Sequence, residues 1–252
     1  MKQLLNYFPI FLTFYRLKQD FTYVLKGVSA SAIIFYPALY FLLDSPDLLS
    51  YTVCFAFLTF VCWAAYEINY LINDYVAVKR EDMPFFRSYT QDINFIVALA
   101  IRLIFLVLSA YILRFNIYFL EWLFFLGVYI ALLNILKTKK ERLPIYPCLR
   151  LLRHLFVPII LSDFNFQLLY PCFVLLLPLL FIDARSFVLM VVTRYLEMKR
   201  ENLGLDITYY ETILKTLPLQ IFLLLNYPPV ILSGELFLAL ISFIGKKRLV
   251  KR

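Results

Sequence analysis

The sequence reads as an all-α protein of the membrane, a single polytopic bundle of about eight transmembrane helices. Of its 252 residues 63% are hydrophobic and 17% charged, with 26 Phe, 19 Tyr and only 5 Gly, a balance that excludes an ordinary soluble domain. Apolar runs of roughly 18 or more residues recur along the chain, and inside a bilayer only a helix satisfies the backbone polar groups of such a run. Lys and Arg collect in every second connection between runs, as expected of a chain whose positive loops stay in the cytoplasm.

Taken in order, residues 1–25 are aromatic and amphipathic, broken by Pro9 and by Arg16, Lys18 and Asp20. They are expected to form an interfacial helix, not a cleaved signal, because no small-residue cleavage pattern follows them. Spans are expected at 26–44, 50–73, 94–113 and 117–136, then at 144–162, 166–196, 212–226 and 229–245, with 246–252 as a basic tail. The fifth span is interrupted by Pro147, Arg150, Arg153 and Pro158. The sixth exceeds the roughly 20 residues of one crossing and contains Pro178, Asp183 and Arg185, so it must kink, tilt or extend into water.

Orientation follows from the basic residues. One set of span ends carries Lys2, Arg16, Lys18 and Lys26, then Lys79, Arg80 and Arg87, then Lys137, Lys139, Lys140 and Arg142. The same side receives Lys199 and Arg200 and finally Lys246, Lys247, Arg248, Lys251 and Arg252. The alternate connections, DSPD at 44–47, RFN at 114–116, SDFNF at 162–166 and NYPP at 226–229, hold one Arg in total. Both termini are therefore expected in the cytoplasm. The net charge of +8 needs no nucleic acid as partner, since the basic residues border spans next to membrane lipids. Cys54, Cys62, Cys148 and Cys172 stand inside apolar runs without ligand-like spacing and read as small buried hydrophobes. No Gly- or Ser-rich linker, low-complexity tract or internal repeat divides the chain.

Chemistry is concentrated in YEINYLINDYVAVKREDMPFFR, from Tyr66 to Arg87. Glu67 lies inside the end of the second span, where a carboxylate is expensive and is either paired or functional. Glu67, Tyr70 and Asp74 share one helical face, and Asn73, Ala77 and Glu81 follow on the adjoining face. Side-chain oxygens gathered at a water-accessible helix end suit Mg²⁺, which takes one or two carboxylates together with substrate phosphate oxygens. Lys79, Arg80 and Arg87, just beyond, would meet the same phosphates.

Asn73-Asp74 at the end of the second helix, an acid at Glu81 and then MPFFR resemble the first Asp-rich motif of the UbiA superfamily of intramembrane prenyltransferases. That motif reads N-D-x-x-D-x-x-x-D and is followed by a stretch such as H-P-x-K-x-R-P. Asn73, Asp74, Glu81, Pro84 and Arg87 match or nearly match, while Ala77 stands where the family has its second Asp. ALLNILKTKKERLP followed by LRLLRHLFVPI is similar to the branch that makes decaprenyl-phosphate phosphoribose. RYLEMKRENLG resembles the second motif region of that branch, so the likeness extends over most of residues 20–215. The family usually carries one helix more than the count here.

The resemblance implies an isoprenoid chain in a lipid-facing cavity and a Mg²⁺ ion that neutralises a diphosphate donor group. Asn73, Asp74 and Glu81 take the catalytic positions, and the metal set is Asn73, Asp74, Glu81, Glu67, Glu197 and Glu201. Lys79, Arg80, Arg87, Arg153, Lys199 and Arg200 are the candidate phosphate-binding residues. Arg194, Glu197 and Glu201 also have the spacing of a plain surface ladder on one helical face. Arg150 and Arg153 sit within a span, where an Arg normally meets an acid or a phosphate. His154 is the only histidine and reads as packed in the bundle. The alternative to a transferase is a catalytically reduced relative that binds or transports polyprenyl phosphate or serves as a partner subunit.

Overall fold

The computed structural model describes residues 7–9, 12, 35–44, 47–80, 93–136, 142, 145–177, 180, 218–220 and 222–227. Among these residues all regular structure is helical. Four long helices follow one another, α1 at Leu48–Tyr75, α2 at Phe95–Ile112, α3 at Ile117–Ile135 and α4 at Ile145–Leu161, with a shorter α5 at Phe166–Leu177. Residues 35–42 are helical within the expected first span, and Tyr7–Pro9 form a turn. The expected span at 229–245, the tail at 246–252 and the candidate residues Glu81, Arg87, Glu197, Lys199, Arg200 and Glu201 lie outside the described residues.

The helix bounds follow the hydropathy closely. Leu48–Lys79, which includes a 3₁₀ turn after α1, and helices α2 and α3 are each long and apolar enough to cross a membrane. Helix α4 is 17 residues long, about 25 Å, and so falls short of the roughly 30 Å of a hydrocarbon core. It carries Pro158 inside the helix. Helix α5 starts at Phe166, where the sixth span was expected, and is described as far as Leu177, the residue before Pro178.

Short polar residues start these helices. Asp47 accepts the backbone N–H groups of Leu49 at 3.0 Å and Ser50 at 3.1 Å and the Ser50 hydroxyl. Asn94 accepts from Ile96 and Val97, Asn116 from Tyr118 and Phe119, and Asn165 from Gln167. Each side-chain oxygen occupies a donor that the first helical turn leaves without a carbonyl. The Ser50 hydroxyl, with the Ser50 and Leu49 amides behind it, holds the Asp47 carboxyl below its ordinary range. Three of these caps close connections that use left-handed backbone without glycine, at Asp44, at Arg114 and Phe115, and at Asp163 and Phe164.

The chain divides into two compact units, Met1–Ala30 with Val53–Ile160, and Ser31–Thr52 with Leu161–Arg252. In the first, Phe60 of α1 meets Phe105 of α2 edge-on with ring centres 5.1 Å apart. Trp122 of α3 stacks on Phe156 of α4 at 4.2 Å and donates its indole N–H to the Leu152 carbonyl at 2.8 Å. The buried residues of α3, Phe119, Trp122, Leu126, Ile130 and Leu133, repeat at the spacing of one packed seam. Those of α2 are Ala98, Arg102, Leu106, Ser109 and Ala110, all but Leu106 small or polar, while Ile96, Leu103, Ile104, Val107 and Leu108 face outward. A helix with its polar residues inward and its aliphatic residues outward is built for lipid. In the second unit, Tyr36 and Thr52 share a hydroxyl hydrogen bond of 2.6 Å, and Gln220 donates to the Val174 carbonyl at 3.1 Å.

All four cysteines are free thiols. Cys62 and Cys172 are buried as expected, but Cys148 is only half-buried and Cys54 is exposed, because its position on α1 turns away from the packed seam.

Candidate functional site

The C-terminal half of α1 presents three polar centres along its length. The deepest of the acids is Glu67, which is fully buried and joined to the fully buried Arg102 of α2. Arg102 places Nη2 at 2.7 Å and Nε at 3.1 Å from the same carboxylate oxygen. Its remaining donors reach main-chain carbonyls, Nη1 to Ala98 at 2.9 Å and to Tyr7 at 3.3 Å, and Nη2 to Phe8 at 3.5 Å. The Tyr7 hydroxyl in turn accepts the Asn94 N–H at 3.0 Å. Leu12 joins Leu71, Ile93 and Ala98 in a buried cluster, so the N-terminal segment is docked by both polar and apolar contacts where it is described. Such a network satisfies charges that could not be left alone in a bundle.

About 10 Å further along the axis stand Asn73 and Asp74. Asn73 is half-buried, Asp74 buried, and the Asn73 amide nitrogen donates to the Asp74 carboxylate at 3.0 Å. Helix α1 ends one residue later at Tyr75, whose hydroxyl donates to the Ile93 carbonyl at 2.7 Å. Residues Ala77–Arg80 then form a 3₁₀ turn in which Lys79 is exposed. The helical face expected to carry Asn73, Ala77 and Glu81 together therefore does not exist as drawn. The helix stops short of Ala77, which is fully buried in the turn.

The third centre is Arg153 of α4. Its guanidinium carbon lies 5.1 Å from the ring centre of Trp63 and 5.3 Å from that of Tyr66, a position in which the ring faces attract the cation. Its carbonyl accepts the Cys62 thiol at 3.5 Å. Its Nε is buried and has no hydrogen-bond partner among the described residues. Edge-on contacts continue from Trp63 to Tyr66 and from Tyr66 to Tyr70, so an aromatic ladder leads from Arg153 toward Asn73. His154 is buried in α4 and Arg150 half-buried.

The structure thus pairs Asn73 with Asp74 just before the turn that carries Lys79, while Glu67 is turned to Arg102 and Arg153 lies a helix turn or more away. Among the described residues no group of three or more His, Cys, Asp or Glu side chains is placed to hold a metal ion. Arg102 was the residue missed by sequence reasoning. A lone charge in the middle of an apolar run was its signal, the same signal that singled out Arg150 and Arg153. Compared with known protein families, curated proteins and solved structures, the chain finds no match.

Proposed function

We propose that the chain is a multi-pass protein of the cytoplasmic membrane, with both termini cytoplasmic, that transfers a group by Mg²⁺-assisted displacement of diphosphate in the manner of the UbiA superfamily. One substrate is a polyprenyl lipid. The transferred group is either the prenyl chain, passed to a lipid or aromatic acceptor, or a phosphoribosyl group, passed to a polyprenyl phosphate. The observation that carries this reading is the buried Asp74 carboxylate held by the Asn73 amide at the end of a membrane-length helix, five residues before the exposed Lys79.

The donor chemistry fits the metal. The Asn73 amide nitrogen faces Asp74, which leaves the carbonyl oxygen of Asn73 as a hard donor next to a carboxylate, the ligand type Mg²⁺ selects. Asn73, Asp74 and Glu81 are the residues that would hold it, with Glu197 and Glu201 from the second half of the chain. The ion would supply charge neutralisation to the departing diphosphate. Lys79, Arg80, Arg87, Lys199 and Arg200 would meet the same oxygens and stabilise the developing negative charge. Glu67 serves here through its pair with Arg102, as the support behind the site.

Titration calorimetry with Mg²⁺ and a prenyl diphosphate, separately and together, tests the reading. The expected result is tight binding only when both are present, lost in Asp74→Ala while the protein still elutes as a folded monodisperse species. Diphosphate binding that ignores Mg²⁺ and survives Asp74→Ala would rule it out. Ala77, buried where the resembling motif has an acid, favours one second reading, a relative that binds the polyprenyl substrate without turnover. Mg²⁺-dependent binding with no product from any donor and acceptor pair selects it.

A further inference from the structure

Most polar side chains of α1 between Glu67 and Tyr75 are engaged. Glu67 is held by Arg102, the Tyr75 hydroxyl by the Ile93 carbonyl, and the Asp74 carboxylate by the Asn73 amide. Asn69 is the exception. It is 4% exposed, and its buried Oδ1 receives no hydrogen bond among the described residues. A carboxamide oxygen has only lone pairs to offer, so a hydrogen-bond donor or a cation satisfies it and an anion does not. Buried polar atoms are seldom left open without a reason.

Position narrows the choice. Helix α1 is regular as far as Tyr75, so Asn69 stands one turn behind Asn73 on the same face, their Cβ atoms about 5–6 Å apart. Helical side chains lean toward the N-terminus, which brings the Asn73 carboxamide back over Asn69. The Asn73 nitrogen faces Asp74, and its oxygen is turned the other way. Two histidines at this same spacing on a helix hold one zinc ion between them. In the other direction along the chain the helix ends, and Ala77, fully buried in the following turn, brings no side-chain oxygen.

We propose, resting on the Mg²⁺ site read at Asn73 and Asp74, that Asn69 Oδ1 is a further ligand of that ion. Helix α1 then supplies two neutral carboxamide oxygens and one carboxylate, all of the hard type that suits Mg²⁺. The χ2 torsion of an Asn is broad, so the Asn69 oxygen can turn toward Asn73 while the helix stays as it is. An acceptor left open in the unliganded chain costs stability, and the cation removes that cost on binding. One carboxylate among three ligands holds Mg²⁺ weakly, so the ion binds firmly only together with the diphosphate whose charge completes the set.

Calorimetry with Mg²⁺ alone, inorganic diphosphate alone and the two together tests the role of Asn69, diphosphate being the group common to either donor. In the parent only the pair should bind tightly. Asn69→Leu keeps the bulk of the side chain without its polar atoms, so the unliganded protein should melt no lower than the parent while joint binding weakens by about tenfold or more. Asn69→Asp adds charge to the ligand set. Mg²⁺ alone should bind that variant about tenfold tighter than the parent and raise its melting temperature, which a carboxylate buried away from any cation would not allow. Joint binding in Asn69→Leu equal to the parent, with Asp74→Ala still abolishing it, overturns the role of Asn69 and leaves the transferase reading standing. Joint binding that survives Asp74→Ala, or none in the parent, overturns both. An equal loss for diphosphate without Mg²⁺ in Asn69→Leu assigns the oxygen to the substrate instead of the ion and also overturns the proposal. Should Asn69→Leu fail to elute like the parent, the Mg²⁺ response of Asn69→Asp decides, and no gain there overturns it.

Discussion

Glu67 and Arg102 illustrate how one residue pair can organise a bundle. Each is fully buried, so each alone would be an uncompensated charge in a medium with no water to take its place. Together they satisfy one another, and Arg102 has donors left over for the Ala98, Tyr7 and Phe8 carbonyls. Removing one partner should be far worse than removing both. Arg102→Met is expected to cost about 3–5 kcal/mol, and the double variant Glu67→Gln with Arg102→Met should recover a large part of that loss. Denaturant unfolding of the two singles and the double in detergent checks it. Additive losses would mean that the pair is not coupled. From the sequence, Glu67 was legible as a carboxylate needing a partner, because its depth in an apolar run is visible. The partner was not legible, because 35 positions separate it and nothing local selects Arg102 over other basic residues. The extent of the Asn73 face was misread for a related reason. No Pro or Gly stands between Asn73 and Glu81, yet the helix gives way at Tyr75 to a turn that tertiary contacts of Tyr75 and Ala77 hold in place.

Helices α2 and α3 begin and end within one residue of their hydropathy limits, while the turns between helices follow a rule of their own. Arg-Phe-Asn at 114–116 and Asp-Phe-Asn at 163–165 each place two left-handed residues before an Asn cap. Left-handed backbone costs a residue with a Cβ about 1–2 kcal/mol, which glycine does not incur. Arg114 is exposed, so Arg114→Gly loses little packing and should stabilise the protein by up to about 1 kcal/mol. Arg114→Val should destabilise it, and thermal melts of the two variants give opposite shifts if the turn is as described. The cap of α1 adds a pH dependence. Asp47 has its carboxyl held below the ordinary range in the folded protein, first by the Ser50 hydroxyl and then by the Ser50 and Leu49 amides. Its stabilising contribution is therefore complete above the unfolded carboxylate value and is lost as pH falls through the lower folded one. Asp47→Asn, which keeps an acceptor oxygen without the charge, should remove that acid-side component from a pH series of melting temperatures.

Across the whole molecule, the outward residues and the basic connections make a joint statement about threading. Helix α1 with its turn, α2 and α3 are long and apolar enough to cross a membrane, and their outward faces carry Leu49, Val53, Ile104, Val107, Phe124 and Phe125. Only four residues, Leu113 to Asn116, join α2 to α3, so those two helices must run in opposite directions. If Lys79 marks the cytoplasmic end of α1, then Arg114 lies on the far side and Lys139 returns to the cytoplasm. Introduced cysteines read this directly, in a chain whose four native thiols have been replaced. Arg114→Cys should react with an impermeant thiol reagent in intact cells, and Lys139→Cys only after the membrane is opened. Reaction of Lys139→Cys from outside would invert the threading and put Asp74 on the side where phosphorylated donors are scarce, which would also remove the setting for diphosphate chemistry. If the expected spans beyond α3 bring the total to eight, the chain returns to the cytoplasm, and a reporter fused after Arg252 should be active there. An extracytoplasmic signal at Arg252 would mean an odd number of crossings. The interval 166–196 is then the place to look, since it is longer than one crossing of roughly 20 residues and has Pro178 next to the last described residue of α5. Two crossings of about 17 residues each between 166 and 200 would supply the missing one. They would also move Glu197, Lys199 and Arg200 to the other membrane face from Asp74, and a two-part metal site could not form.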